Sequence, residues 1–225
     1  MDYYDIHTHD VPPPTEEDEQ RRPYILDVYP LGFEDAKDSL SECFFSCGIH
    51  PWYSEDAEPQ LKFLKEIVND SRIIAIGEAG YDKLKGPDLK TQQYIFESQI
   101  ELSEKLQKPL IIHCIKCWEE LIQSYKKYAP KQTWIIHGYR GKPELTRQLL
   151  NFGFYFSIGD KFNKESISEI PLDHIFCETD DDDITIESVY EELAETLGMP
   201  IEDLCGQIEN NVKKVFPQLI SEKAI

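Results

Sequence analysis

The chain has 225 residues, a length that suits one domain with a substantial core, so we expect residues 1–225 to form a single domain. Its 43 acidic and 23 basic residues give a formal charge of −20, which argues against a non-specific nucleic-acid binder and against attachment to an anionic membrane surface. The first residues lack the basic and apolar run of a signal peptide, and no apolar stretch approaches the ~18 residues of a membrane span. Six cysteines without an export signal indicate reduced thiols, so we expect a cytoplasmic protein.

Short apolar runs, typical of buried parallel strands, alternate with amphipathic stretches along the chain. Strands are predicted at residues 3–6, 24–29, 43–48, 73–76, 110–112, 133–136, 154–158 and 174–177. Helices are predicted at 33–40, from residue 54 onward, and at 88–106, 117–128, 143–152, 186–197 and 201–216. This alternation favours an all-parallel sheet, and eight such strands indicate an α/β fold of the TIM-like (β/α) barrel type.

The segment between the first two strands departs from the pattern. Residues 10–23 are rich in proline and charge and show no apolar periodicity, and the run from Pro12 to Pro14 cannot lie inside a helix. We therefore expect a barrel reduced at its N-terminal end, with the first barrel helix missing. The last two predicted helices should cover an end or a flank of the barrel.

Histidines and acidic residues stand where several predicted strands end. Because the carboxyl ends of barrel strands converge on one point, we expect these side chains to lie together. Neutral imidazoles and carboxylates of this kind are what a pair of divalent metal ions requires, so the pattern predicts a dinuclear metallohydrolase. The predicted set is His7 and His9 after strand one, Glu78 after strand four, His113 after strand five, His137 after strand six and Asp180 after strand eight.

Four of these positions have specific roles in the prediction. Residues two apart on a strand face the same side, so His7 and His9 can share one metal, while Asp5 orients His7 or lies deeper as a support. Glu78 can bridge two cations, and Asp180 can act as the general base. The plainer interpretations are a helix-capping or ion-paired Glu78, hydrogen-bonded core histidines, and a solvated acidic loop at Asp180.

Taken together, the motifs resemble the TatD family of metal-dependent hydrolases. They occur in family order and read Asp5-x-His7-x-His9, Gly48-Ile49-His50-Pro51, Ile76-Gly77-Glu78-Ala79-Gly80-Tyr81-Asp82, Pro109-Leu110-Ile111-Ile112-His113, His137-Gly138-Tyr139-Arg140-Gly141 and Glu178-Thr179-Asp180. The resemblance implies a barrel of the amidohydrolase-like superfamily that hydrolyses phosphodiesters at DNA ends. It also implies the same six metal ligands, with His50 contacting the substrate phosphate.

The chain departs from the family pattern beside the predicted ligands. Arg140 stands where the family has Ser or Thr, and Asp181-Asp182 replaces the usual Ala-Pro. The Arg that commonly follows the fifth-strand histidine is absent, and Lys116 is a candidate substitute. We therefore expect Lys116 and Arg140 to assist His50 in binding phosphate. Trp52 and Trp118 suit either stacking on a nucleobase or packing at the barrel rim.

Several alternatives remain open at this stage. Histidine-rich ligation favours Zn²⁺ or Mn²⁺ over Mg²⁺ without excluding Mg²⁺. The same metal site could hydrolyse an ester, amide or lactone of a small molecule, or the barrel could be a non-catalytic metal-binding scaffold. The Cys114-x-x-Cys117 motif has the spacing of redox centres, although not their usual place in a fold. DNA is the expected partner, as substrate, and no obligate protein partner is evident.

Overall fold

A computed structural model describes residues 2–13, 23–41, 43–55 and 57–221. Within these residues, eight parallel strands follow one another in chain order in one sheet and form a nearly closed barrel with surrounding helices. The predicted fold class is confirmed. The strands are β1 (Asp5–Thr8), β2 (Tyr24–Val28), β3 (Phe44–Cys47), β4 (Ile73–Asp82), β5 (Leu110–Ile115), β6 (Trp134–Ile136), β7 (Tyr155–Ile158) and β8 (Ile175–Cys177).

The helices lie mainly between the strands, as the sequence pattern predicts. They are α1 (Phe33–Ser39), α2 (Glu58–Ile67), α3 (Leu89–Leu106), α4 (Trp118–Tyr128), α5 (Pro143–Leu150), α6 (Lys164–Ile167), α7 (Ile186–Leu197), α8 (Ile201–Val215) and α9 (Gln218–Ser221). Short 3₁₀ helices cover Pro30–Gly32, Pro51–Tyr53 and Leu172–His174. The predicted absence of a helix between β1 and β2 falls largely on residues 14–22, which lie outside the described residues, and it stays a prediction.

The chain divides into two compact units. The first, Met1–Leu26 with His137–Ile225, is built around Ile6, Phe156 and Phe176, which are fully buried. In this unit α8 is anchored on β8, because the Asn211 amide donates to the carbonyl oxygens of Leu172 and Ile175 at 2.8 Å. This contact supports the predicted covering role of the C-terminal helices.

The second unit, Asp27–Ile136, has an aromatic core beside β4 and β5. The ring of Phe96 on α3 lies 5.0 Å from that of Tyr81 and 5.7 Å from that of Trp134, in edge-on contacts typical of buried aromatic rings. Phe96 thus packs α3 against Tyr81 of β4 and Trp134 of β6.

Strands β1, β4 and β5 run further than predicted. His7 lies within β1, Glu78 within β4 and His113 within β5, so the prediction that these strands end before the site residues is wrong. The ladder continues because Gly80 pairs with His113 and Asp82 with Ile115. Polar residues and glycines in β4 and β5 interrupt the apolar run of the sequence, but the backbone pairing between the two strands continues through them.

Two glycines allow β4 and β5 to come together at this point. A Cβ at Gly80 would lie 2.0 Å from the carbonyl oxygen of His113, and one at Gly77 would lie 2.6 Å from that of Ile111. Both residues also have positive φ, of 150° and 146°, which favours glycine. The glycines therefore stand at two positions of β4 where its backbone lies close to β5, on either side of Glu78.

No helix in the described residues combines the length and apolar character needed to cross a membrane.

Candidate metal centre

In the first unit, β1 and the turn after β8 bring three predicted ligands together. Asp180 Oδ1 lies 3.6 Å from His7 Nε2 and 3.4 Å from His9 Nε2. Backbone hydrogen bonds hold the turn in place, from Asp180 N to His7 O (3.0 Å) and from His9 N to Asp180 O (3.1 Å). The imidazoles of His7 and His9 therefore both lie beside the Asp180 carboxylate. That they share one metal stays a prediction.

His137, the residue after β6, joins the same cluster. Its ring centroid lies 4.6 Å from that of His7, and one ligand atom each of His7, His137 and Asp180 fall within 4.8 Å of one another. Burial by itself would raise the pKa of Asp180, but hydrogen bonds from His7 and His9 outweigh it and hold that pKa well below its usual value. An ionised carboxylate among three imidazoles is a donor set that suits a divalent cation.

A buried acid stands behind His137. Glu178 Oε1 accepts a hydrogen bond from Gly138 N at 2.5 Å and lies 3.5 Å from His137 Nδ1. Its side chain is fully buried, and among the described residues Oε2 has no hydrogen-bond partner. A carboxylate behind a ligating imidazole is the arrangement that orients metal-bound histidines. Sequence reasoning used Glu178 only as part of a motif and missed this role.

Asp5 is the deepest acid of the first unit. Its carboxylate accepts hydrogen bonds from the Thr179 hydroxyl at 2.7 Å and from the backbone N–H groups of Thr179 (3.3 Å) and His7 (3.2 Å). Burial raises the pKa of Asp5 to about 7, against the lowering effect of these hydrogen bonds. These contacts tie β1 to the turn after β8 and favour the supporting role among the two predicted for Asp5.

In the second unit, Glu78 lies between two histidines. Its Oε1 is 2.6 Å from His113 Nδ1 and 3.2 Å from His50 Nε2, and all three side chains are at least nine-tenths buried. Asp27, at the end of β2, accepts hydrogen bonds at 2.7 Å from the Glu78 backbone N–H and from the Ser46 hydroxyl. Asp27 fixes the backbone of a predicted ligand, and sequence reasoning did not find it.

His50 has a defined tautomer. The backbone N–H of Trp52 donates to His50 Nδ1 at 3.1 Å, so in the neutral ring the proton is on Nε2, the nitrogen that faces Glu78. A metal bond through Nε2 would leave both ring nitrogens without a proton, which is unfavourable for a neutral imidazole. Although His50 groups with Glu78 and His113 as a potential ligand, this geometry favours a hydrogen-bond donor. It agrees with the phosphate contact predicted for His50.

His113 has a carboxylate on either side. Nδ1 faces Glu78, and Nε2 lies 3.2 Å from Asp82 Oδ2, which also accepts a hydrogen bond from Trp52 Nε1 at 2.6 Å. If Nδ1 and Glu78 hold the same cation, Nε2 carries the proton and donates it to Asp82. Burial alone would raise the pKa of Asp82, but hydrogen bonds, first from Trp52 and then from Leu84 N, lower it overall.

The remaining predicted residues lie on loops beside these clusters. Lys116, after β5, and Arg140, after β6, are exposed, and the charge of Arg140 acts on Asp160 and Asp182. Trp52 is half-buried, with its indole N–H bonded to Asp82, so it is a fixed ring rather than a mobile one.

The Cys114-x-x-Cys117 motif lacks the features of a redox centre. Both side chains are buried. Burial raises the pKa of Cys117 to about 11 and that of Cys114 well above its usual value, so neither thiolate forms near neutral pH. The structure thus argues against the redox alternative.

Comparison with known proteins identifies the family. Residues 32–217 match the family model of TatD related DNase. An uncharacterized metal-dependent hydrolase of Buchnera aphidicola is 35% identical over 144 residues, which cover 60% of this chain and 54% of that protein. Deoxyribonuclease Tat-D of Schizosaccharomyces pombe is 28% identical over 173 residues, or 65% of this chain and 55% of that protein. The chain therefore matches about half the length of each of these two relatives.

The fold agrees with this assignment. The crystal structure of YJJV, a TatD homolog from Escherichia coli, superposes with a TM-score of 0.82 over 96% of this chain and 98% of that one, at 20% sequence identity. The chain belongs to the TatD related DNase family of metal-dependent hydrolases.

Proposed function

We propose that the protein hydrolyses phosphodiester bonds at DNA ends, using two divalent cations held by His7, His9, Glu78, His113, His137 and Asp180. The observation that carries the proposal is a pair of clusters, each with one carboxylate and two imidazoles whose ligand atoms lie within 4.8 Å of one another. The family description and the deoxyribonuclease named among the relatives support the choice of DNA. Six buried thiols support a reducing compartment such as the cytoplasm.

The donor set fits Zn²⁺ or Mn²⁺, and Mg²⁺ is compatible with its carboxylates. Such cations, when bound, neutralise charge on the phosphoryl oxygens and make the attacking water more acidic. The chain's own residues then have separate tasks. Glu78 would contribute a carboxylate, a group able to neutralise positive charge on bound cations. The Nε2–H group of His50 would donate a hydrogen bond to a phosphoryl oxygen.

Asp180 is the proposed general base. Its low pKa keeps it ionised at neutral pH, and it stands beside His7 and His9, so it can accept a proton from the attacking water. The exposed ammonium of Lys116 and guanidinium of Arg140 are proposed to bind flanking phosphoryl oxygens.

The test combines metal analysis with a choice of substrates. Protein purified without chelator would be analysed for bound metal and then assayed on a fluorescent oligonucleotide and on a panel of esters, amides and lactones. Two equivalents of metal and release of nucleotides support the proposal. Turnover confined to the small-molecule panel would replace DNA as the substrate. Bound metal with no turnover of either set would favour a non-catalytic scaffold.

A further inference from the structure

Exposed apolar side chains have an uneven distribution in the protein. Among the described residues, the large hydrophobic side chains that are exposed all belong to the second unit: Tyr29, Leu31, Tyr53, Leu84, Tyr94 and Ile115. Tyr29 and Leu31 come directly after β2, Tyr53 follows β3, Leu84 follows β4, and Ile115 is the last residue of β5. Only Tyr94, on α3, does not stand at a strand end.

We call Tyr29, Leu31, Tyr53, Leu84 and Ile115 the apolar rim. Single exposed apolar side chains need no explanation, but their concentration at the carboxyl ends of strands does. Barrel enzymes bind their substrates at those ends. The rim is therefore placed where a substrate would be bound, beside the cluster that contains Glu78 and His113.

The aromatic part of the rim is continuous with His50. The rings of Tyr29 and Tyr53 meet edge-on with centroids 5.3 Å apart, and the ring of Tyr53 lies 6.0 Å from that of His50. Both tyrosines are almost half exposed, at 46% and 47%. A planar group attached to a phosphate on His50 would thus meet an aromatic surface.

The charge of the chain favours this mode of recognition. With a net charge of −20, the protein has little cationic surface with which to hold a polyanionic backbone. Stacking of bases on aromatic side chains does not depend on such charge and accepts any base. Lys85 is a cation at this edge, and its Nζ lies 3.3 Å from the centroid of the Trp52 ring. It can contact one neighbouring phosphate.

We propose that the apolar rim binds the nucleobases next to the scissile phosphate, by stacking on Tyr53 and Tyr29. The inference rests on the proposed phosphodiesterase function and adds to it the surface that recognises the substrate. Two other occupants, a second copy of this chain and the apolar group of a small ester, make different predictions in the same experiment.

The experiment compares Tyr53→Ala and Tyr29→Ala with Tyr53→Phe, which keeps the ring. Tyr94→Ala is the matched control, since Tyr94 is equally exposed, at 53%, but lies on α3 with its hydroxyl bonded to Glu58. Each metal-loaded variant would be assayed on two oligonucleotides, one intact and one with abasic sites at the second and third nucleotides from the cleaved end. Binding of both oligonucleotides would be measured by fluorescence anisotropy.

Tyr53→Ala should raise KM for the intact oligonucleotide about tenfold with little change in kcat, as expected for loss of one stacked base. Tyr53→Phe and Tyr94→Ala should resemble the wild type. On the abasic oligonucleotide the wild type should already show the higher KM, and Tyr53→Ala should add no further increase. The anisotropy Kd should follow the same pattern, and the sedimentation coefficient should be the same for all variants.

Three results would overturn the inference. One is an unchanged KM and Kd in both alanine variants. A second is an equal penalty for Tyr53→Ala on intact and abasic strands. A third is a wild-type dimer that Tyr53→Ala dissociates, which would assign the rim to a second copy. If no oligonucleotide is cleaved, the proposed function fails, whereas Tyr53-dependent binding of the intact strand would still support the rim. If none is bound either, both fail.

Discussion

At the scale of single residues, three of the imidazoles near the candidate ions have a neighbouring group that orients the ring. Asp82 stands behind His113, Glu178 behind His137, and the Trp52 backbone N–H behind His50. The first two partners are acceptors and leave the opposite ring nitrogen free of its proton for a metal. The third is a donor and leaves a proton on the nitrogen that faces the site. The group that contacts the far ring nitrogen thus decides whether a histidine of this site is suited to bind a metal or to donate a hydrogen bond.

Asp82→Asn tests the orienting role of this acid. With the amide oxygen kept on the backbone N–H groups of Leu84 and Lys85, the amide nitrogen takes the place of Oδ2. There it loses the hydrogen bond from Trp52 Nε1 and donates to His113 Nε2. The His113 proton then moves to Nδ1, where it opposes metal binding beside Glu78. We expect the affinity for Zn²⁺ to fall about 10- to 100-fold, measured by titration calorimetry of metal-free protein.

The control for this variant is Asp88→Asn. Asp88 caps α3 by accepting from Lys90 N and Thr91 N, and asparagine caps a helix equally well. Asp88→Asn is the same substitution of an amide for a carboxylate, at a residue that contacts no histidine. The affinity for Zn²⁺ should therefore stay at the wild-type value. Equal affinities in both variants and the wild type would show that Asp82 does not orient His113.

Asp180→Asn addresses the general base. The amide oxygen can still coordinate weakly but cannot accept a proton, so kcat should fall by ~10²-fold or more even where metal is retained. The measurement is nucleotide release under saturating metal, with bound metal determined on the same sample. Wild-type turnover by the metal-loaded variant would require another proton acceptor.

His50→Ala should affect binding more than chemistry. Because His50 Nε2 carries a proton and a protonated nitrogen does not coordinate a metal, both proposed metals should remain bound. Loss of a hydrogen bond to the substrate phosphate should raise KM more than it lowers kcat. Loss of metal from this variant would instead identify His50 as a ligand.

At the scale of elements, the existence of the strands and helices is easier to predict from the sequence than the residues at which they end. Apolar runs such as Ile73–Ile76 identify strands, because a strand that is buried on both faces needs apolar side chains on both. The extension of β4 through Gly80 to Asp82 depends on pairing with β5, which no local pattern contains. For the same reason Asp27 and Asp82 escaped prediction, since their burial and partners arise only from the fold. The candidate ligands could be selected from the sequence because their positions follow from strand order.

Gly80→Ala tests the approach of β4 to β5. Its Cβ would lie 2.0 Å from the His113 carbonyl oxygen, in a conformation with φ of 150°, so the strands must separate. We expect the free energy of unfolding, measured in urea, to fall by about 3 kcal/mol, which combines overpacking with backbone strain.

Gly32→Ala is the matched control for this element. A Cβ at Gly32 meets nothing within 4 Å, and its φ of −94° suits alanine, so stability should change by no more than about 0.5 kcal/mol. If the two variants were equally stable, the contact between Gly80 and His113 would not constrain the strands.

At the scale of the whole molecule, an acidic chain buries several carboxylates together with the imidazoles that accompany them. Asp5, Glu78, Asp82 and Glu178 are each at least 95% buried, and Asp180 is largely so. In the first unit, burial first and then the charge of Glu178 raise the pKa of Asp5. Bound cations would offset such a concentration of negative charge and stabilise the state that binds them. The metal is thus expected to be a structural component as well as a catalytic one. The single domain that the sequence predicts remains a prediction.

Metal removal tests this expectation. At a free metal concentration ~100 times Kd, binding adds about 2.7 kcal/mol. In a chain of this size that corresponds to roughly 5–10 °C in Tm. We therefore expect chelator to lower Tm by that amount in calorimetry, and Zn²⁺ or Mn²⁺ in excess over the chelator to restore it. Glu78→Gln removes the charge that can serve both ions, so its Tm should respond much less to chelator. An equal response in Glu78→Gln and wild type would mean that the stabilising ion is not bound by Glu78, and the two-metal proposal would lose its central ligand.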